Sequence, residues 1–426
     1  MKAYQKIGIG LGGLLVTASL LAMQPGEPRP ANDAPAPAAQ MRLASLAPAA
    51  RRDVDYGALD SRLRQVIAKP GMVGLAVGIV ENGRITFLKG YGETVQGSGE
   101  PVTPETVFRW ASVSKGVAAT MVAKLAQQGK INLDAPVVNY AAGLKLPAGN
   151  EYRATVADLL SHRLGLYRNA YDNKLEEGHD PKLLRRSLAQ LNAICAPGTC
   201  WSYQNVAYDA SSEMVSKVTG LPYEIALQRY LFNPLGMGHA SASMGALMAN
   251  KNWARPHGAG RKELPMIDTY YKVPASGGVN SSIKDMSLWM LAQMGEMPEV
   301  LDKKLLATIQ APYVKTPTER GRLRQYLERL GDAWYGFGWR SYDYAGHRIV
   351  GHRGGINGYR SLILFDPARK SGVVAMWNSN ASQPGGLEFE VMDQLYHLPF
   401  RDWLKLGEGE SVPLAVAEDN LSQGNG

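Results

Sequence analysis

Cysteine is scarce in this chain of 426 residues, with only Cys195 and Cys200 on either side of Ala196-Pro197-Gly198-Thr199. No histidine stands in the spacing of a cysteine-containing zinc site, His-Glu-x-x-His is absent, and the seven histidines are scattered. We therefore expect neither a metal nor a cofactor. A close pair around a Pro-Gly turn predicts a disulfide if the chain is exported, with two free thiols as the alternative.

The chain also lacks a run of basic residues interleaved with aromatic ones. Its formal net charge of +8 is moderate for this length, so we interpret the excess as a solvated basic surface and expect no nucleic-acid partner. A hydrophobic content of 45% with 20% charged residues is that of a globular protein with a sizeable core. The length predicts two structural units.

A long apolar run begins close to the first residue. Lys2 and Lys6 precede the run from Ile7 to Met23, a pattern that predicts an export signal over residues 1–24, with an uncleaved membrane anchor as the alternative. We therefore expect a periplasmic protein. Residues 25–50 are rich in proline and alanine, which is typical of a linker that cannot form a core. We exclude residues 1–50 from the fold.

Ser112-Val113-Ser114-Lys115 places a serine and a lysine three residues apart. If the segment opens a helix, both side chains share a face, and the amine reaches the hydroxyl. A serine hydroxyl needs a neighbour to take its proton before it becomes a good nucleophile. The motif alone is weak, because Ser112 also suits a helix N-cap and Ser281-Ser282-Ile283-Lys284 repeats the spacing.

The local patterns separate the two copies. Apolar residues recur at helical spacing after Ser112 until Gly129, so this copy is expected at the start of a buried helix. In the second copy, Ser282 and Asp285 form a capping box, and we interpret that copy as structural.

The elements predict an α/β unit combined with an all-α unit. A helix from Asp55 to Ala68 precedes two strands around Asn82-Gly83. Residues 136–330 are mostly helical, with a charged, exposed excursion over 314–330. Strands and one helix follow, at Trp334–Tyr342, Arg348–Gly351, Tyr359–Phe365, Val373–Asn378 and Leu387–Tyr396. We predict an antiparallel sheet flanked by helices over residues 51–135 and 331–400, a helical domain inserted at 136–330, and a C-terminal tail at 401–426.

Six segments, in order, resemble the penicillin-recognising serine hydrolases, and most closely the class C β-lactamase group with its D,D-peptidases and esterases. The resemblance spans residues 55–400. The segments are Phe108 to Lys115, Leu159 to Leu166 (with Leu-Leu-Ser-His), Tyr203-Gln204-Asn205, Pro234 to Met237, Tyr335 to Trp339, and Gly351-His352-Arg353-Gly354-Gly355.

Position decides between rival copies of the short motifs. Tyr-x-Asn also occurs at 167–169 and 171–173, but only Tyr203 follows the Pro-Gly turn and precedes a helical pattern. Lys-x-Gly occurs at 69–71, before the nucleophile, and at 370–372, on a hairpin turn. His352 comes just before the predicted strand Tyr359–Phe365, where the resemblance expects the third motif.

The resemblance implies a role for each matched residue. Ser112 is the nucleophile of a two-step acyl transfer, Lys115 assists its deprotonation, and Tyr203 is the partner acid/base. Asn205 donates to the substrate amide and accepts from the lysine. The backbone N–H groups of Ser112 and Gly355 form the oxyanion hole.

The third motif departs from the Lys-Thr-Gly of most lactamases, because it reads His352-Arg353-Gly354. His352 is expected to act as a hydrogen-bond donor rather than as a permanent cation. Arg353 either binds the substrate carboxylate in a bidentate manner or points to the opposite face of its strand, since neighbours in a strand alternate.

We therefore predict an exported monomeric serine hydrolase acting on β-lactams. D,D-carboxypeptidase or endopeptidase activity on D-Ala-D-Ala-type peptides and carboxylic esterase activity are the alternatives within the family. An inactive penicillin-binding module is the alternative of another class, and the intact Ser112, Lys115 and Tyr203 speak against it.

Overall fold

The structure, a computed structural model, describes residues 52–407. Its main element is an antiparallel sheet of eight strands in the order β2-β1-β10-β9-β8-β7-β6-β5, and β3 pairs separately with β4. The strands are β1 Gly74–Glu81, β2 Arg84–Gly92, β3 Val107–Arg109, β4 Asn280–Ser282, β5 Val314–Lys315, β6 Leu330–Tyr335, β7 Arg340–Tyr344, β8 His347–Ile356, β9 Tyr359–Asp366 and β10 Ser371–Trp377.

Helices lie on both sides of the sheet. In the sequence, most of them come between strands β2 and β5. Within the described residues they are α1 Tyr56–Ala68, α2 Ser114–Gln127, α3 Val156–Leu160, α4 Asp172–Glu176, α5 Pro181–Ser187, α6 Ala210–Thr219, α7 Tyr223–Leu227, α8 Met244–Ala249, α9 Pro274–Gly277, α10 Ile283–Gln293, α11 Lys303–Ile309, α12 Pro317–Arg322 and α13 Leu387–Leu395. Short 3-10 turns join several of them, and the one at Ala111–Val113 leads directly into α2.

Strand β1 shows why the sheet is covered on both faces. All eight of its residues are buried. Ala76 and Val80 belong to the core shared with α2 and α10, whereas Leu75, Val77 and Ile79 belong to the core shared with α1 and α13. Side chains of a strand alternate between the faces, so a continuous apolar run indicates a central strand with helices on both sides. The predicted fold class is confirmed.

The first hairpin forms as predicted. Val80 pairs with Ile85, and Glu81 pairs with Arg84, while Asn82 and Gly83 both adopt positive φ angles of 50° and 73°. Two such residues form the tight turn that matches the twist of a hairpin.

Helix α1 is anchored to this hairpin by Asp60. Its carboxylate accepts hydrogen bonds from Lys89 Nζ at 2.5 Å and Tyr91 Oη at 2.6 Å. These two donors on β2, Lys89 first, lower the pKa of Asp60 to about 2.

Two local predictions need correction. The strand expected over Trp334–Tyr342 is divided between β6 and β7, because the chain turns at Gly338, whose φ is 70°. The excursion at 314–330 is exposed only on its outer side. Glu319 is buried against Arg340, and Tyr326 is buried in the core shared with α1 and α13.

Some predictions fall outside the described residues. The signal or anchor at 1–24, the linker at 25–50 and most of the tail, from residue 408, belong to this group. Along residues 52–407, we find no helix with the length and apolar character that crossing a membrane requires. The domain boundaries at 135 and 330 stay predictions.

Candidate active site

The serine and the lysine of the first motif meet at the start of α2. Ser112 lies in the 3-10 turn before the helix, and the N-cap of α2 is Val113. Ser112 therefore does not serve as the helix cap. Lys115 Nζ lies 3.4 Å from Ser112 Oγ, as the helical spacing predicted.

Lys115 is fully buried, at 0% exposure, and its ammonium is held by polar groups from three segments. Besides Ser112, it donates to Asn205 Oδ1 at 2.5 Å and to the Ser276 carbonyl at 3.0 Å. The ring of Tyr203 lies 4.6 Å from Nζ. A buried ammonium is costly unless its donors are satisfied, and these contacts leave Nζ directed at the serine.

Asp172 extends this network, although no sequence motif had pointed to it. Asn205 Nδ2 donates to Asp172 Oδ2 at 2.6 Å, so the amide oxygen of Asn205 is turned toward Lys115. A flipped Asn205 amide would lose both its hydrogen bond to Asp172 and its hydrogen bond from Lys115. Asp172 lies in one of the rejected Tyr-x-Asn copies, Tyr171-Asp172-Asn173, whose central residue was the useful signal.

Tyr203 is fully buried at 0% exposure, and cations surround its ring. Besides Lys115, the guanidinium carbons of Arg168 and Arg340 lie 5.5 and 5.6 Å from the ring centre. Glu319 pairs with both arginines, at 2.8 Å to Arg340 and 3.5 Å to Arg168. Positive charge near a phenol stabilises its phenolate, which suits a group that accepts and returns a proton.

His352 lies in a chain of hydrogen bonds beside Tyr203. His352 Nε2 is 3.2 Å from Tyr335 Oη, and Tyr335 Oη is 3.2 Å from His162 Nε2. His162 Nδ1 accepts from the Gln204 backbone N–H at 3.2 Å, and burial, followed by the charge of Lys115, holds the pKa of His162 well below its usual range.

Arg353 does not join the residues around Ser112. Its Nε donates to Glu388 Oε1 at 2.7 Å, and its guanidinium lies over the rings of Tyr326 and Phe389. Glu388 and Phe389 belong to α13, on the other face of the sheet. Of the two orientations predicted for Arg353, the structure has the one that points away from the site, because His352 and Arg353 alternate along β8.

Glycine at position 354 allows β8 to approach the 3-10 turn that contains Ser112 closely. A Cβ atom built at this position would lie 2.2 Å from the Trp110 carbonyl oxygen and 2.4 Å from Ser361 Oγ. Such distances are not tolerated. Ser361 Oγ in turn donates to the Trp110 carbonyl at 2.6 Å. Gly355 follows on this strand, and its role in an oxyanion hole with Ser112 stays a prediction.

The predicted disulfide is present between Cys195 and Cys200. It closes the turn that precedes Tyr203, and this loop is bonded to the Leu-Leu-Ser-His segment. Ser202 N donates to the His162 carbonyl at 2.9 Å, and Gly198 N donates to the Arg163 carbonyl at 2.8 Å. The disulfide therefore restrains the backbone that positions Tyr203.

The second serine-lysine copy has a structural role, as predicted. Ser281 Oγ accepts from the Trp110 indole N–H at 2.9 Å, and Ser282 caps α10 by accepting from Asp285 N at 3.2 Å. The predicted capping box is only half formed, because the Asp285 carboxylate accepts from the His239 backbone N–H at 2.8 Å and not from the Ser282 backbone. Within residues 52–407, no group of three or more His, Cys, Asp and Glu side chains is arranged to hold a metal ion.

Comparison with known proteins agrees with this fold and geometry. The family model described as Beta-lactamase matches residues 59–396. The octameric penicillin-binding protein homologue from Pyrococcus abyssi superposes with a TM-score of 0.72 and 25% identity, covering 81% of this chain and 78% of that chain. The fold is thus that of penicillin-binding proteins, and the chain belongs to the Beta-lactamase family.

Two curated relatives indicate how far this similarity extends. Unguisins hydrolase ungD of Aspergillus violaceofuscus is 26% identical over 359 residues, covering 77% of this chain and 63% of its own length. Esterase EstB of Burkholderia gladioli is 29% identical over 267 residues, covering 57% of this chain and 66% of its own length. The chain therefore spans less than two thirds of the length of either relative.

Proposed function

We propose that this protein is a serine hydrolase that forms an acyl-enzyme on Ser112 and hydrolyses β-lactams. The observation that carries the proposal is the buried Lys115 ammonium, which lies between Ser112 Oγ and Asn205 Oδ1 with the Tyr203 ring beside it. Groups with this mutual geometry activate a serine for attack on a carbonyl carbon.

The proposed reaction gives each of these groups one role. Ser112 Oγ forms a bond to the carbonyl carbon while its proton passes to Tyr203, with Lys115 stabilising the phenolate. The backbone N–H groups of Ser112 and Gly355 hold the oxyanion. When the C–N bond breaks, Tyr203 returns a proton to the nitrogen. A water molecule then repeats the sequence on the acyl-enzyme and releases the product acid, which restores Ser112.

A β-lactam suits such a site because the strain of its four-membered ring is released when the C–N bond breaks. Asn205 is held by Asp172 and Lys115, so its amide is already oriented before a substrate amide arrives. This preorganisation lowers the entropic cost of reaching the reactive geometry.

Ester hydrolysis is the second candidate, and the third motif favours it. Arg353 is ion-paired with Glu388 on the other face of the sheet, so this strand presents His352 rather than a permanent cation to the site. A site without that cation places less demand on a substrate carboxylate, and neutral esters lack one.

Labelling with a fluorescent penicillin tests the acyl-enzyme. The wild-type protein is expected to gain the mass of the penicillin on the peptide that contains Ser112, and Ser112→Ala is expected to lose the label. Ser281→Ala is the matched control from the structural copy of the motif, and it is expected to keep the label. Labelling of Ser112→Ala at the wild-type rate would contradict the proposal.

Turnover distinguishes the substrate classes. Rates for a penicillin, a cephalosporin, a D-Ala-D-Ala peptide and a short-chain ester, each measured with Ser112→Ala as the blank, rank the candidates. We also propose export to the periplasm, supported by the basic start and apolar run of residues 1–24. Fractionation of cells that express the full chain tests the location, and retention in the cytoplasm would contradict it.

A further inference from the structure

The row of hydrogen bonds through His162, Tyr335 and His352 has a direction that its two ends impose. At one end, the Gln204 backbone N–H can only donate, so His162 Nδ1 accepts from it at 3.2 Å. At the other end, a carbonyl oxygen can only accept, so His352 Nδ1 donates to the Arg353 carbonyl at 2.7 Å. The peptide groups fix both directions, because a peptide N–H only donates and a peptide carbonyl only accepts.

A neutral arrangement of the protons between the ends satisfies each of these hydrogen bonds. His162 carries its proton on Nε2 and donates to Tyr335 Oη, 3.2 Å away. Tyr335 uses its own proton to donate to His352 Nε2, also 3.2 Å away. Each ring nitrogen in the row has a partner when both histidines are neutral. An imidazolium at either place would put two donors face to face or force the tyrosine proton to turn away.

The surroundings also favour the neutral row. His162 and His352 are 0% and 3% exposed, so a positive charge on either ring would be poorly solvated. The titratable and charged groups around the row include Tyr203, Tyr208, Lys115, Arg168 and Arg340, with Glu319 on the two arginines. The three cations oppose a further positive charge.

We infer that Tyr335 and His162 are positioning residues that hold His352 as its neutral, Nδ1-protonated tautomer. This inference deepens the proposed function, because it concerns the same site. His352 in this form has both nitrogens engaged, so it is not the hydrogen-bond donor to substrate that the third motif predicted. It acts by holding the backbone of β8 at Arg353 and by packing against Tyr203, with 6.2 Å between the ring centres.

Protonation of His352 reverses the central bond of the row. His352 Nε2 then becomes a donor to Tyr335 Oη, which already accepts from His162, and the tyrosine proton must leave its place between the rings. A fourth positive charge also appears beside Tyr203. Because the hydroxyl of Tyr335 favours the neutral ring, its removal makes His352 easier to protonate.

The test is a measurement of histidine tautomers in the full-length protein labelled with ¹⁵N-histidine. Long-range ¹H–¹⁵N spectra distinguish a ring protonated on Nδ1, on Nε2 or on both, and the His352→Gln and His162→Gln variants assign the two signals. At neutral pH we expect His352 protonated on Nδ1 and His162 protonated on Nε2. A wild-type His352 protonated on Nε2, or on both nitrogens, would overturn the inference.

Tyr335→Phe gives the second readout, with Tyr342→Phe, a buried tyrosine of the adjacent strand, as the matched control. Tyr335→Phe is expected to change the His352 signal and to move the acid limb of the acylation rate upward by about half to one pH unit, the effect of losing one hydrogen bond. Equal behaviour of the two variants would refute the inference. Loss of penicillin labelling in the wild type would instead refute the proposed function, because the tautomer measurement needs no substrate.

Discussion

Removing one partner of the Arg353–Glu388 ion pair is expected to destabilise the fold and to leave substrate recognition intact. The two side chains are 23% and 3% exposed, and Arg353 Nε lies 2.7 Å from Glu388 Oε1. Glu388 also accepts from the Gly386 backbone at 3.1 Å. Arg353→Met would leave a carboxylate buried with one neutral donor, and an unpaired buried charge is the costly outcome.

The size of the effect follows from the burial. Breaking a buried ion pair costs about 3 to 5 kcal/mol. An unfolding entropy of ~2.1 cal/mol/K per residue amounts to about 0.75 kcal/mol/K for the described part of the chain. The expected fall in Tm is therefore about 4 to 7 °C. The double variant Arg353→Met with Glu388→Gln removes both charges, and we expect it to recover most of that loss.

Thermal unfolding and steady-state kinetics together show whether Arg353 stabilises the fold or binds the substrate carboxylate. Arg353→Met and Glu388→Gln should both lower Tm, while KM for a penicillin and for a neutral ester should stay within about twofold of the wild type. Glu388→Gln is the informative control because it keeps the arginine. A selective rise of KM for the anionic penicillin in Arg353→Met, with Tm unchanged, would show that Arg353 binds the substrate carboxylate and would refute the reasoning.

Three further predictions concern other contacts. Asp172→Asn should lower the acylation rate by about 10- to 100-fold, because Asn205 loses its hydrogen bond to a charged group. Stopped-flow kinetics measure the acylation rate, and a wild-type rate would contradict the prediction. Cys195→Ser combined with Cys200→Ser should lower Tm by about 3 °C, because ~2 kcal/mol of loop-closure entropy is lost, and it should slow acylation. An unchanged thermal unfolding curve under oxidising conditions would count against the disulfide. Asp60→Asn should lower Tm between pH 5 and 7 but not near pH 2, because the pKa of Asp60 falls from 3.8 to about 2 on folding, so its contribution is present above pH 3.8 and disappears as pH falls through 2. A difference in Tm that did not change with pH would exclude this origin.

The residues that the sequence reveals are those whose partners lie close in the chain or in a short motif. Ser112 and Lys115 are three residues apart, so helical spacing alone predicts their contact. The alternation of side chains along a strand was enough to offer the observed orientation of Arg353. Gly354 belongs to the third motif in the sequence, and the close approach of β8 to the Trp110 carbonyl explains why glycine stands there.

The contacts that the sequence does not reveal join distant segments through buried polar groups. Asp172 reaches Asn205 across 33 residues, and Tyr335 reaches His162 across 173. Neither pair has a fixed spacing, and hydrophobic periodicity carries no information about a polar contact. Tyr335 was visible as a landmark of the family, but its hydroxyl acquires a role only when the sheet and the loop before Tyr203 are brought together.

The pairing of β1 with β10 has a consequence for how the chain folds during its synthesis. Leu75 lies opposite Trp377 and Val80 opposite Gly372, so two adjacent inner strands of the sheet are synthesised early and late. At about 5 to 20 residues per second, roughly 15 to 60 s separate the appearance of the two strands. During that interval the apolar hairpin formed by β1 and β2 has an open edge, which is an aggregation hazard. We therefore expect slow folding, because these contacts give the chain a high contact order. Truncated chains that end before β10 should require chaperones, and in them the third motif should not be held beside Ser112.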